Sequence, residues 1–363
     1  MRIVFVGPLP PIRGGISQHS AGLVRALREL GHDVSAWSWK HQYPARLYRS
    51  EQLDRDATPF PDSRFALNWY DPTSWIRAGR DAKRADLLVT PWVHPVQAPP
   101  LRTIASAAGS TPTVAVVHNV LPHERLRFDD RLARLFLRRC TAAIVQAQPQ
   151  ADALAQLVPS LTTHVVPMPP LLPVRVSPLP EAPPVRVLFL GYVRPYKGLD
   201  LAIDAIELLR DSHDIRLTVA GDFWEPTAEA CAADLVRRDL DKLVTLRPGY
   251  APDDVVNELL AEHHLVIAPY RHATQSGIVP LAHAADRTVV ITPVPSLIEQ
   301  AAVGRSVVAS AIDAPAIATA LTTACQQLVS PSTGAADRAP NTWAAFAGAV
   351  VTAGTVRRSE QQP

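Results

Sequence analysis

Four short segments bring together residue types that can bind an anion or stabilise developing negative charge. In Gly191-Tyr192-Val193-Arg194-Pro195-Tyr196-Lys197-Gly198, two cations three residues apart precede a helical pattern. Arg194 can bind in bidentate fashion and Lys197 as a point charge, which beside a helix start suits a diphosphate. Solvated loop charges are the plainer alternative. In Tyr270-Arg271-His272-Ala273-Thr274-Gln275-Ser276-Gly277-Ile278, the small polar residues make a loop rich in donors. His118-Asn119 follows the apolar run Val114 to Val117. An imidazole there can donate to a sugar hydroxyl or to a developing negative charge, or merely cap its loop. Finally, Gly14-Gly15 end the turn that begins at Gly7, just before a helix opening near Ser17. Backbone N–H groups at such a turn can approach an anion, although an ordinary strand-to-helix turn explains the glycines equally well. The spacing is not GxGxxG, so no dinucleotide fingerprint is present.

These segments share one feature: each follows a short apolar run. Runs rich in β-branched residues recur at Ile3 to Val6, Leu87 to Val89, Val114 to Val117, Ala143 to Val145 and His164 to Val166. Helical patterns such as Leu23, Leu27, Leu30 and Leu132, Leu135, Phe136 alternate with them. That alternation predicts parallel βαβ units and a doubly wound sheet. Eight prolines between Pro167 and Pro184 then rule out regular structure and predict a semi-rigid linker. The pattern restarts with a strand at Val185 to Leu190, a helix over Leu199 to Leu209, and strands at Ile215 to Ala220, Val244 to Leu246, Leu265 to Ala268 and Val289 to Ile291. A chain of 363 residues has room for two domains. Two Rossmann-like halves would place a ligand in the cleft between them, at the carboxyl ends of the strands.

Composition closes off several classes. Lys plus Arg (36) nearly balances Asp plus Glu (34), so a dedicated nucleic-acid binder is not indicated. Three distant cysteines, Cys140, Cys231 and Cys325, form neither CxxC nor a zinc spacing. Buried thiols in a reducing cytoplasm fit best, with no metal and no cofactor implied. The apolar N-terminus is too short for a signal-peptide core. The longest uncharged run, Ala314 to Ala336, is too diluted by Thr, Gln, Ser and Pro to span a bilayer. Arg125, Arg127, Arg131, Arg134, Arg138 and Arg139 lie among leucines and phenylalanines. Peripheral contact with the inner face of an anionic membrane stays open there, beside the blander reading of a packed helix with a solvated basic face.

Taken together, the Gly14-Gly15 loop, His118, the Arg194/Lys197-Gly198 loop and Thr274-Gln275-Ser276-Gly277 resemble the retaining GT-B glycosyltransferases known as group 1 or family four. A bacterial subgroup carrying His-Asn-Val-Leu-Pro-His-Glu, Arg-Pro-Tyr-Lys-Gly-Leu and Ala-Thr-Gln-Ser-Gly in this order is a closer match. The resemblance implies an α/β GT-B fold with two Rossmann-like doubly wound domains facing across a cleft. It divides the chain into an acceptor-side domain (1–168), a linker (169–184), a nucleotide-sugar domain (185–340) and a C-terminal helix from near Trp343 (341–363) that crosses back to the first domain.

By that resemblance the donor is a nucleoside diphosphate sugar and the acceptor is a glycan, a lipid-linked sugar or a small molecule. Lys197 matches the family lysine on the diphosphate, Gly15 (with Gly14) a glycine whose N–H approaches the same phosphates, and His118 the catalytic-site histidine near the donor sugar. The family arginine position is Tyr192, and Arg194 is the residue able to replace it. The family's Glu-x7-Glu pair falls on Thr274 and Ala282, so both carboxylates are absent. Thr274, Gln275, Ser276, Gly277 and Ile278 would then hold the donor through backbone, amide and hydroxyl groups. His264 stands where an Asp is usual, and Glu299 where a glutamate often follows Gly-Gly, here Pro295-Ser296. The missing carboxylates favour one competitor, a catalytically weakened scaffold in a glycan or glycolipid pathway, which the retained Lys197, Arg194 and His118 oppose. A third reading, a GT-B epimerase or phosphorylase, would want extra cleft carboxylates or a cofactor-lysine context that the sequence does not show.

Overall fold

The alternation of apolar runs and amphipathic stretches resolves, in the computed structural model, into two parallel sheets flanked by helices. The structure describes residues 1–44, 53–54, 57–121, 127–224, 226–329 and 342–355. Arg125, His123 and Glu124 lie outside the described residues.

The chain divides into two units, Met1–Leu171 with Asn341–Pro363, and Leu172–Pro340. In chain order the first contains β1 (Arg2–Val6), α1 (Gly15–Glu29), β2 (Asp33–His41), β3 (Ser63–Asn68), α2 (Pro72–Ala82), β4 (Leu87–Trp92) and α3 (Ala98–Ala107). There follow β5 (Thr113–Val117), α4 (Asp129–Leu137), β6 (Ala142–Val145), α5 (Gln148–Leu157) and β7 (Thr162–Val165). The seven strands pair in the order β3-β2-β1-β4-β5-β6-β7, all parallel. Strands covered by helices on both faces can be apolar throughout, and β4, β5 and β6 are buried at every position.

The second unit contains β8 (Val185–Leu190), α6 (Leu199–Leu209), β9 (Ile215–Gly221), α7 (Ala228–Arg237), β10 (Val244–Pro248), α8 (Asp253–Glu262) and β11 (Leu265–Ala268). It continues with α9 (Ile278–Ala284), β12 (Thr288–Ile291), α10 (Pro295–Ala301), β13 (Ser306–Val308) and α11 (Ala314–Val329). Its parallel sheet runs β10-β9-β8-β11-β12-β13. The last helix, α12 (Trp343–Thr355), packs in the first unit, where Phe346, Ala347, Val350 and Ala353 join Ile3, Leu23 and Leu27 in one core. Gly22 of α1 makes room for it: a Cβ there would come 2.4 Å from the Trp343 ring.

Between Val165 and Val185 there is neither strand nor helix. The later part of this proline-rich stretch is nevertheless pinned to the second unit. The buried Arg287 guanidinium donates to Leu260 O at 2.7 Å and Ser177 O at 2.9 Å. His264 accepts the Arg186 N–H at Nδ1 (3.0 Å), which leaves Nε2–H to donate to Pro180 O (3.0 Å). His264 thus ties strand β8 to the linker, and burial lowers its pKa, which suits a neutral ring.

On α4, Arg134 donates to Leu157 O and Arg139, just beyond it, to Gly109 O, so both hold neighbouring segments together. Arg127, Arg131 and Arg138 are exposed, as are Phe128 and Leu135. Among the described residues no helix is long and apolar enough to cross a membrane.

Candidate functional site

In the second unit, β8 ends at Leu190 and hands the chain to Gly191, whose N–H bonds Ala220 O at the end of β9. Val193 then bridges to Phe223 in parallel fashion, which keeps the two strand ends side by side. Pro195–Lys197 form one 3-10 turn, closed by Gly198 at φ 68°. Two glycines allow this crowding. A Cβ on Gly198 would lie 2.1 Å from Pro269 O, and one on Gly221 would lie 2.0 Å from Gly191 O. With no side chain and free access to positive φ, glycine alone fits these backbone crossings.

The loop after β11 is fastened onto this turn. Arg271 donates its backbone N–H to Tyr196 O (2.7 Å) and its guanidinium to Pro195 O (2.9 Å), and pairs with Asp200 in the first turn of α6. Hydrogen bonds from Arg271 hold the Asp200 carboxyl below the usual carboxylate range. The Asp200 carboxylate is therefore committed to Arg271.

Arg194 and Lys197 rest instead on aromatic faces. The Arg194 guanidinium lies 4.5 Å from the Trp224 ring centre, and Lys197 Nζ lies 5.1 Å from that of Tyr270. Among the described residues neither cation pairs with a carboxylate. A ring face attracts a cation without supplying a neutralising counter-charge.

Beyond Tyr270, Ser276 Oγ donates to the Tyr270 hydroxyl at 3.5 Å. The Gln300 amide grips the Ser276 backbone twice, accepting its N–H at Oε1 and donating to its carbonyl from Nε2, both at 3.1 Å. Ser296 Oγ donates to Ala273 O at 2.7 Å. Thr274 and Gln275 are half-buried on this braced loop, Gly277 caps α9, and Ile278 is buried at its first position. Glu299 sits half-buried on α10, one residue before the Gln300 latch. The structure therefore gathers Arg194, Lys197 and the Thr274–Gly277 loop at the carboxyl ends of β8 and β11.

The first unit carries Gly14, Gly15 and His118. Gly14 adopts φ 110° as the N-cap of α1, with no side-chain cap and no acidic residue in the first turn. The earliest N–H groups of α1 thus lack helical partners, as at any helix start. His118 follows β5 and is 2% exposed. Its N–H bonds Trp92 O, and its carbonyl accepts from Gln150 Nε2 at 2.9 Å. Burial lowers its pKa to about 4, so the imidazole is neutral at neutral pH. The ring meets His19 of α1 edge-on at 4.8 Å, and His19 in turn packs against Trp343 and Phe346 of α12. Burial also drives the His19 pKa well down.

Reading the sequence missed Trp224, Tyr270 and Gln300 as supporting residues. Tyr270 and Arg271 stood inside a noted motif and Gln300 beside Glu299, but nothing in spacing brings Trp224 to Arg194. Among the described residues no group of three or more His, Cys, Asp or Glu converges as a metal ion would require.

Two family models match the chain: glycosyl transferases group 1 over residues 184–335, and glycosyltransferase family 4 over residues 13–169. Solved structures with the same fold include Anabaena HepE in complex with UDP, at 16% identity and TM-score 0.67, covering 98% of this chain and 97% of that one. Sucrose-phosphate synthase from Thermosynechococcus elongatus is 15% identical, with TM-score 0.64 over 97% and 94% of the two chains. The catalytic domain of starch synthase IV from Arabidopsis thaliana, bound to ADP and acarbose, is 11% identical, with TM-score 0.67 over 98% of each. No curated protein matches the chain.

Proposed function

The chain belongs to the GT-B glycosyltransferases of the group 1 and family 4 kind, and we propose that it moves a sugar from a nucleoside diphosphate donor to an acceptor hydroxyl with retention of configuration. The observation that carries this reading is the pair Arg194 and Lys197, two cations on aromatic faces at one strand end with no carboxylate partner among the described residues. The UDP and ADP held by structures of the same fold support a nucleoside diphosphate as the donor.

In the reaction the bond from the donor's anomeric carbon to the diphosphate oxygen breaks and its electron pair leaves with the diphosphate, while the acceptor oxygen bonds to the same face of that carbon and its proton passes to the departing diphosphate oxygen. Arg194 and Lys197 stabilise that departing charge more than they stabilise the intact donor, which is what lowers a barrier. The family resemblance also assigns Gly14 and Gly15 to the donor phosphates, through their backbone N–H groups. His118, held neutral, orients the sugar as a hydrogen-bonding group rather than as a cation. Thr274, Gln275, Ser276 and Gly277 contact sugar and phosphate through hydroxyl, amide and backbone groups, in place of the carboxylates that Thr274 and Ala282 do not supply. Ile278 and Glu299 border this contact. Two protein cations on the leaving group make the reaction independent of an added divalent ion.

A panel of UDP-, GDP- and TDP-sugars tests the reading, with binding followed by calorimetry and the product anomer read by NMR. Binding of one member and a product of unchanged anomeric configuration are expected, with activity that survives EDTA. Failure of every member to bind would favour a glycan-pathway scaffold. Exposed Arg127, Arg131, Arg138 and Phe128 also support docking on an anionic membrane face. Liposome binding should then fall steeply with salt, and equal sedimentation with neutral vesicles would leave only a packed basic helix.

A further inference from the structure

The structure points to a second element of donor recognition. We infer that Trp224 is a stacking platform for the donor's nucleobase, built together with Arg194 as one unit. The inference rests on the donor reading above and adds the residue that would hold the base.

Trp224 follows β9, and its backbone N–H bonds Val193 O at 3.1 Å, which anchors it beside the Arg194 turn. The Arg194 guanidinium covers part of the indole at 4.5 Å, yet the residue remains 43% exposed. Tyr250, just beyond β10, is the other exposed residue among the described Phe, Tyr and Trp of the second unit, and Gly249 N–H bonds Gly221 O so that the β9 and β10 ends stay adjacent. Among the described Phe, Tyr and Trp residues of this unit, these two are the most exposed, and both sit at the carboxyl ends of neighbouring strands.

A single exposed aromatic residue needs no explanation by itself. What sets Trp224 apart is its contact with a cation that has no carboxylate partner among the described residues, on the strand edge that also carries Lys197. A nucleoside diphosphate presents two chemistries a short distance apart: an anionic diphosphate and a flat aromatic base. Arg194 and Lys197 answer the first, and an indole face answers the second. Every base has a π-face, so stacking on Trp224 tolerates different bases and supplies affinity rather than base identity.

The test compares ligands with and without a base. The full chain is titrated calorimetrically with UDP, GDP and ADP, and with inorganic pyrophosphate as the base-free probe, for the wild type and for Trp224→Ala, Trp224→Leu and Trp224→Phe. For each nucleoside diphosphate that the wild type binds, Trp224→Ala and Trp224→Leu should weaken affinity tenfold or more. The pyrophosphate loss should be at least fivefold smaller, and Trp224→Phe should stay within about threefold of the wild type. Two variants of different bulk guard against a folding defect in either. Equal losses for UDP and pyrophosphate would mean that Trp224 only holds Arg194, and would overturn the platform. Unchanged nucleotide affinity in both variants would overturn it too. A wild type that binds no nucleoside diphosphate at all would instead refute the donor reading on which the platform depends.

Discussion

Replacing Lys197 by Met separates a binding role from a folding role. Lys197 Nζ makes no ion pair among the described residues, and its closest favourable partner is the Tyr270 ring at 5.1 Å. Losing that contact costs about 0.5–1 kcal/mol of stability, which for a unit of this size lowers Tm by only about 1–4 °C. Methionine keeps the apolar stem on the ring. A charge-assisted hydrogen bond to a diphosphate is worth about 1.5–3 kcal/mol, so the dissociation constant should rise roughly 10- to 150-fold. Catalysis should suffer at least as much, since charge on the leaving group peaks in the transition state. Calorimetry with UDP or the preferred nucleoside diphosphate, kcat/KM and a thermal melt read the three quantities. Unchanged nucleotide affinity would refute the assignment. A large loss of Tm alongside lost affinity would refute it differently, by making Lys197 a fold residue.

Gly198→Ala places a Cβ 2.1 Å from Pro269 O at a φ of 68°. The left-handed conformation alone costs about 1–2 kcal/mol, and relieving the clash must move the Lys197 turn. Urea denaturation should show a less stable second unit, and nucleotide titration a weaker site. His118 has an ordinary pKa of 6.5 when unfolded and about 4 in its buried position. Its unfolded form takes up a proton first as pH falls, so its contribution is complete above pH 6.5 and is lost between 6.5 and 4, by up to about 3 kcal/mol. Thermal melts from pH 8 to pH 4 should fall through that window, and His118→Gln should flatten the slope. Thr274→Glu should lower activity, because it sets a carboxylate near a dianionic diphosphate, and Gln275→Ala should reduce kcat/KM about tenfold or more. Wild-type kinetics in Gln275→Ala would remove that side chain from the site.

Local pattern was enough for the two Rossmann-like halves. β8, α6 and β11 lie at the residues read from the sequence, because buried parallel strands are largely apolar, as β11 and all of β8 but Arg186 are, and α6 repeats its apolar residues at helical spacing. Three strands escaped the reading. In β2 the run Asp33–His41 mixes Ser, Trp and Lys, β3 is a partly exposed edge, and β13 is three residues long. Each takes its conformation from its neighbours in the sheet rather than from its own composition.

Residue types and spacing alone nominated Arg194, Lys197, His118 and the Thr274–Gly277 loop, because strand ends in this architecture carry the chemistry. Sequence could not say what each cation rests on. Trp224 lies 30 positions from Arg194 and Tyr270 lies 73 from Lys197, and only the pairing of β8 with β9 and β11 brings those partners together. The charge state of His118 is likewise a tertiary property: a histidine after a strand looks the same in sequence whether wet or dry, and burial in the folded first unit is what holds it neutral. The proline-rich stretch shows the same division. Its prolines exclude helix and strand from local geometry, while Arg287 and His264, distant in sequence, decide where its later part is fastened.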